Sequence, residues 1–230
     1  MTAAERGAQL LRKWERDNTR PSTFTLGGRE WDLLPGVFSP DDAPATGLFT
    51  SWLSYPAGGS FCEMGCGAGV TAVTAALAGC GQVVASDVSA ESVANTTANA
   101  ARHRVRDRVD VRHGDLFGPF SADERFDVVY WNSNFSEAPD RAAGTSPLQR
   151  ALFDPGYETH RRFFEQAPAH VAPRGQLLLG FADIGNGERL RQLAGLSGLA
   201  VRTVRVRRLA QPPVEYQLLE LFPEGGRPWN

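Results

Sequence analysis

What this chain lacks narrows its class before any motif is read. Its three cysteines, Cys62, Cys66 and Cys80, are too few for a disulfide framework and suit a reducing compartment. Cys62 and Cys66 stand four apart with no Cys or His pair nearby to complete a zinc site. They read as packing residues, and no metal is expected. No run approaches the roughly 18 apolar residues of a membrane span, and Met1 to Arg20 is too polar for a secretory signal. A cytoplasmic location without a membrane partner is the expectation. A formal net charge of −2 supplies no general pull on nucleic acid or anionic lipid, leaving only a local patch as a route to either. The single lysine, Lys13, set against many arginines points to a GC-rich bacterial genome and says nothing of mechanism. Internal repeats and low-complexity segments are absent.

What is present is a strand that breaks over glycines. In Phe61-Cys62-Glu63-Met64-Gly65-Cys66-Gly67-Ala68-Gly69-Val70 an apolar lead-in ends in an acid, and alternate glycines follow. Val70 to Ala78 then reads as a helix of Ala, Val, Thr and Leu. Such a turn lets a ligand approach backbone, and the helix N-terminus offers unpaired N–H groups beside it. Strands and helices alternate from there: Gln82–Val88, helix Ala90–His103, Val109–His113, Phe126–Trp131, helix Tyr157–Val171, Gln176–Phe181 after the turn Pro173-Arg174-Gly175, helix Glu188–Leu196, then Val201–Leu209 and Val214–Phe222. The alternation predicts an α/β, Rossmann-like, mostly parallel sheet of seven strands, closed by a C-terminal antiparallel hairpin.

Ahead of this lies a cap, residues 1–45, counted with the core, 46–230, as one domain because it is too short and too poor in apolar residues to stand alone. It comprises an amphipathic helix over Thr2 to Asp17 with Leu10, Leu11 and Trp14, and a hairpin turned at Gly27-Gly28. A helix restarts over Thr46 to Leu53. Trp14 and Trp31 either pack the cap onto the core or line the substrate mouth, and His103 and His113 read as solvated.

Asp87 ends the second strand 24 residues after Glu63, where a carboxylate can accept from both ribose hydroxyls. A dinucleotide site would share that acid. Three features argue otherwise: the Glu-x-Gly-x-Gly-x-Gly spacing, Gly114-Asp115-Leu116 at the lip of the third strand, suited to an adenine amino group, and the closing hairpin.

Together these motifs resemble the class I S-adenosylmethionine-dependent methyltransferases, from roughly Phe38 to Phe222. The resemblance implies that Glu63, Gly65, Gly67 and Gly69 meet the methionine part of S-adenosyl-L-methionine, that Asp87 binds ribose, and that Asp115 with Leu116 binds adenine. Phe38 and Thr46 are carried over, more weakly, as residues closing over the methionine end. Asp127-Val128-Val129-Tyr130-Trp131-Asn132-Ser133-Asn134-Phe135 resembles the Asn-Pro-Pro-Tyr/Phe segment of methyltransferases of amino nitrogens on planar groups, the HemK-like and ribosomal-RNA guanine-N2 enzymes. Leu34-Pro35-Gly36-Val37-Phe38-Ser39 is similar to a stretch that precedes the core in the RNA enzymes. Ser133 and Asn134 stand where the family has prolines.

A planar nitrogen is a poor nucleophile because its lone pair is delocalised. The Asn132 oxygen and a backbone carbonyl near Ser133 can accept its N–H bonds and aim that lone pair, while Phe135 walls the planar group. Asn132 and Phe135 are thus the catalytic candidates, with Asn132 also beside the cofactor. Ser133, Asn134, Tyr157 and His160 are candidates for contact with substrate, and Ser136 to Arg150 is the natural lid. Lacking an added recognition domain, the chain reads first as an N-methyltransferase of a small-molecule or amino-acid-like substrate. The alternative acceptors are an RNA base amino group or a protein glutamine. Arg202, Arg205, Arg207 and Arg208 offer only a modest basic face, more typical of a solvated edge strand. Readings from other classes are a non-catalytic nucleoside-binding module and a dinucleotide-dependent oxidoreductase.

Overall fold

Residues 12, 22–137, 147–211, 213–226 and 229 are described in the computed structural model of the chain. Apart from Arg12, the expected N-terminal helix lies outside the described residues. Gly27 and Gly28, both left-handed (φ 59° and 72°), fold β1 (Thr23–Leu26) back on β2 (Arg29–Asp32). Helix α1 (Ala45–Trp52) follows, and then the alternation begins. It runs β3 (Ser60–Met64), α2 (Val70–Leu77), β4 (Gln82–Asp87), α3 (Ala90–Arg102), β5 (Val109–His113) and β6 (Phe126–Asn132). The second half holds α4 (Pro147–Leu152), α5 (Glu158–Gln166), β7 (Val171–Ala182), α6 (Gly187–Leu196), β8 (Leu199–Ala210) and β9 (Pro213–Pro223).

The main sheet has seven strands in the order β5-β4-β3-β6-β7-β9-β8. Strands β3 to β7 pair in parallel, and β9 lies antiparallel between β7 and β8. This is the expected Rossmann-like, mostly parallel sheet with its antiparallel C-terminal hairpin. The strand order reverses between β3 and β6, so a crevice opens beyond their carboxyl ends, at Met64 and Asn132. Successive side chains go to opposite faces: Phe61 and Val83 join a cluster with α1, α2 and the N-terminal hairpin, whereas Cys62 and Val84 join one with α5 and α6.

Two buried asparagines of α3 attach the hairpin to the core. Asn99 accepts the Asp32 N–H (2.7 Å) and Asn95 accepts that of Leu34 (2.8 Å), while both donate to the Asp32 carbonyl. Trp31, only 1% exposed, packs on His103 with ring centroids 4.4 Å apart. Trp31 therefore serves packing, and His103 is half-buried rather than solvated. His113 is exposed, as expected.

Three boundaries differ from the sequence reading by more than two residues. The helix expected to reach Val171 ends at Gln166 and passes into a 3-10 turn, Ala167–His170, that contains Pro168. Proline removes a helical hydrogen bond and clashes with the preceding turn. The expected turn at Pro173-Arg174-Gly175 lies within β7, where pairing with β6 jumps from Phe126↔Val171 to Val128↔Gln176. A Cβ on Gly175 would lie 2.7 Å from the Phe126 carbonyl, so the close approach there requires glycine. Of the expected lid, Ser136 to Arg150, residues 138–146 lie outside the described residues, and Pro147 to Arg150 open α4.

Candidate active site

A cavity of about 630 Å³ lies over the carboxyl ends of β3, β4, β5 and β6. Its wall includes Phe38, Thr46, Glu63, Gly65, Gly67, Asp87, Asp115, Leu116, Asn132, Ser133, Asn134 and Phe135. Three expected contact residues are not on it. Gly69 faces inward, where a Cβ would meet Thr96 of α3 at 2.8 Å, so this glycine permits helix packing rather than ligand approach. Tyr157 and His160 are both fully buried behind the wall.

On the side of β3 to β5 the acids are held by backbone. Glu63, buried beneath the loop, accepts the Ala72 N–H in the first turn of α2 (2.7 Å). Burial pushes its carboxyl up to about 8, against the opposing pull of the Ala72 N–H and the Thr71 hydroxyl. Asp87 accepts the N–H groups of Gly67 and Ser89, each at 2.9 Å, and so sets the loop's height over the cavity. Burial raises this carboxyl as well. No Cβ neighbour lies within 4 Å of Gly67, whose φ of 53° places open space where a side chain would stand. Leu116, at φ 47°, is a strained non-glycine residue directly after Asp115.

On the side of β6 the control is by side chains. The two residues in place of prolines tie the loop down by other means. Ser133 donates its hydroxyl (2.9 Å) and its N–H (3.2 Å) to the Gly180 carbonyl. Asn134 donates to the carbonyls of Arg150 and Phe153 at the end of α4. The Phe135 ring packs among Phe49, Phe181 and Tyr216 at centroid distances of 6.0 to 6.5 Å. Its carbonyl accepts the Tyr157 hydroxyl (2.8 Å), which itself accepts the Asn186 N–H (2.8 Å). His160 shares a short bond with Asp154 (2.6 Å), which caps α5 through the N–H groups of Thr159 and His160. Tyr157 and His160 thus support the loop after Asn132 from behind the wall. The Asn132 side-chain oxygen is buried and has no hydrogen-bond partner among the described residues, as is true of the Tyr130 hydroxyl and of Nε2 in His103 and His160, none of which lines the cavity. Asn132 itself belongs to the cavity wall.

Trp131, Tyr216 and Arg162 are among the wall residues that escaped the sequence reading. Trp131 comes from β6, with its indole N–H side near Gly65, Tyr216 comes from β9, and Arg162 comes from α5. Adjacency to Asn132 was a usable signal for Trp131. Tyr216 and Arg162 reach the wall only through the fold.

The fold and this glycine-loop cavity define a class I S-adenosylmethionine-dependent methyltransferase. Residues 31–193 match the methyltransferase small domain, and the chain belongs to that family. It is 30% identical over 195 residues to a release factor glutamine methyltransferase of Bordetella pertussis, covering 76% of this chain and 70% of that one. It is 33% identical over 176 residues to a ribosomal RNA small subunit methyltransferase C of Alcanivorax borkumensis, covering 74% and 48%. The chain spans 34% to 48% of the length of several curated relatives it matches. Among solved structures, a 16S rRNA guanine-N2 methyltransferase of T. thermophilus in complex with AdoMet and guanosine superposes with a TM-score of 0.65 at 21% identity. That superposition covers 89% of this chain and 50% of the other, and it speaks for the fold.

Proposed function

We propose that this chain transfers a methyl group from S-adenosylmethionine to a planar amino nitrogen carried by a macromolecule, an RNA base or a protein carboxamide. The buried, unpartnered oxygen of Asn132 at the cavity wall carries this reading. A buried acceptor without a donor costs roughly 1–3 kcal/mol, and an incoming amino group supplies the missing N–H. The small-molecule acceptor expected from the sequence is set aside. The relatives of this family are named for ribosomal RNA and for protein glutamine, and both acceptors present a planar NH2 group. A cytoplasmic setting accords with these relatives and with the absence, among the described residues, of a helix long and apolar enough to cross a membrane.

The cavity suits the donor. Its volume lies in the usual range of about 300–1,000 Å³ for small-molecule sites. Asp87 keeps lone pairs free beyond its two backbone bonds, and Gly67 leaves the loop open to close approach. S-adenosylmethionine, when bound, supplies an electrophilic methyl on a sulfonium, and most of the catalysis is positioning. Asn132 accepts one N–H of the acceptor, and a backbone carbonyl by Ser133 accepts the other. Both bonds strengthen as positive charge develops on the nitrogen. Phe135, braced by Phe49, Phe181 and Tyr216, walls the planar group. A strong base is unnecessary because the charged product nitrogen sheds its proton readily.

Labelled methyl transfer into ribosomal RNA, ribosomal protein, release factor and fractionated small metabolites, run side by side, tests the proposal. Label in one macromolecular arm supports it, and label only in small metabolites sinks it. Binding of NAD but not of S-adenosylhomocysteine would remove the donor assignment.

A further inference from the structure

Asp115 is gripped by an arginine that no local sequence feature connects to it. The Arg162 guanidinium donates through Nη1 to Oδ2 (2.6 Å) and through Nη2 to Oδ1 (2.9 Å), a two-pronged pair across 47 residues. Both residues line the cavity, and both reach solvent, with side chains 52% and 33% exposed. At such exposure an ion pair adds little to stability, so the fork's value lies in its geometry.

Each end of the pair is anchored. Behind Asp115, the Gly114 N–H donates to the Asp87 carbonyl and the Gly118 N–H to the Asp115 carbonyl, both at 3.0 Å. Leu116, buried and left-handed, locks the next peptide. Behind Arg162, α5 is fixed by its Asp154 cap and by buried Phe163 and Phe164. One carboxylate plane results. An ionised carboxylate has about four acceptor positions. The fork fills one on each oxygen, and the remaining positions accept donors only.

We propose that Arg162 determines nucleoside specificity: by holding both oxygens of Asp115, it fixes the carboxylate to accept the 6-amino group of adenine and to repel a 6-oxo base. This rests on the reading of the cavity as the donor site. A guanidinium cannot accept a hydrogen bond, so Arg162 does not itself receive the amino group. It is a positioning residue acting through Asp115. Without the fork the carboxylate turns freely and discriminates poorly between the two bases.

The test is calorimetric binding of S-adenosylhomocysteine and S-inosylhomocysteine to the full chain, with thermal midpoints taken as a check on folding. Wild type should prefer the adenosyl compound by roughly 10- to 100-fold, the range for a hydrogen-bond donor replaced by an acceptor facing a charged acceptor. Arg162→Gln should reduce that preference to about threefold or less, mostly by weakening the adenosyl compound. Arg162→Lys, a point charge without the fork, should restore part of the affinity and little of the preference. Asp115→Asn should abolish the preference, and adding Arg162→Gln to it should change nothing further. If Arg162→Gln keeps the preference, or binds the adenosyl compound more tightly, Arg162 is a bystander or a competitor and the proposal fails alone. If wild type binds neither compound, the donor-site reading fails and takes the proposal with it.

Discussion

On the side of β3 to β5, each acid at the cavity already has its partner: Glu63 holds Ala72, Asp87 holds Gly67 and Ser89, and Asp115 holds Arg162. On the side of β6, Ser133, Asn134 and the Phe135 carbonyl are equally engaged, yet the Asn132 oxygen between the two sides has no partner among the described residues. The side proposed to hold the donor is shaped by left-handed backbone and by carboxyls already engaged in hydrogen bonds. The side proposed to hold the acceptor is shaped by side-chain clamps around one unmet acceptor. A preorganised surface binds its ligand in one pose, whereas an unmet polar atom rewards only a group that completes it.

The sharpest way to break this contrast is Asn132→Ala. Methyl transfer should fall by about 10²–10³-fold, as for loss of one preorganised group at a developing charge. Affinity for S-adenosylhomocysteine should stay within about twofold. Single-turnover rates beside calorimetric binding measure both, and an alanine variant with full turnover would take Asn132 out of the mechanism.

Glu63 probes the donor side through pH. Its carboxyl is raised in the folded state from 4.5 to about 8, so folding favours the protonated form. Its contribution to stability is whole below pH 4.5 and is lost as pH rises through about 8. The urea midpoint of the wild type should therefore drop between pH 6 and pH 9. Glu63→Gln, which can still accept the Ala72 N–H, should flatten that drop, and an unchanged slope would show that Glu63 is ionised throughout.

Gly69→Ala should cost roughly 2–4 kcal/mol, from left-handed strain plus overpacking against Thr96. Denaturant titration checks it, and a loss of less than about 1 kcal/mol would mean the loop yields cheaply. Tyr157→Phe should lower stability by about 1–2 kcal/mol by deleting a hydroxyl with two partners. It should slow methyl transfer and leave donor affinity unchanged. A donor-affinity loss equal to the rate loss would show that the two sides are not separable. The smallest effect is expected from Ser133→Ala, about 0.5–1.5 kcal/mol, since the Ser133 N–H keeps its bond to Gly180.

Strands β3 to β6 were legible to within one residue at each end, because β3, β4 and β6 are largely apolar runs and β5 alternates Val109 and Val111 with polar residues before the turn at Gly114. The boundary between α5 and β7 was not. The helical pattern runs on past Pro168, and the register jump at Gly175 depends on the facing strand β6. Most of the expected cavity wall was legible from the glycine loop, the acids that follow the strands and the family resemblance they carry. Gly69, Tyr157 and His160 were misplaced because facing is not a local property. Gly69 looks like its neighbours in sequence, but α3 presses on it. Tyr157 and His160 are polar residues near a lid, but the left-handed backbone at Tyr157 (φ 53°) and the Asp154 cap precede a helix whose buried face includes His160.

The amino-acid order by itself determined the glycine break after β3, the acids at the ends of β3 and β4, and the alternation that makes a parallel sheet. These rest on dihedral preference and short-period apolar patterning, which neighbouring residues settle among themselves. Only the tertiary structure decided that Arg162 meets Asp115, that Ser133 and Asn134 do the work of two prolines, and that the Asn132 oxygen is left over. Hydrogen-bond satisfaction is an account kept across the whole fold, so an unmet acceptor becomes visible only after every other partner has been placed.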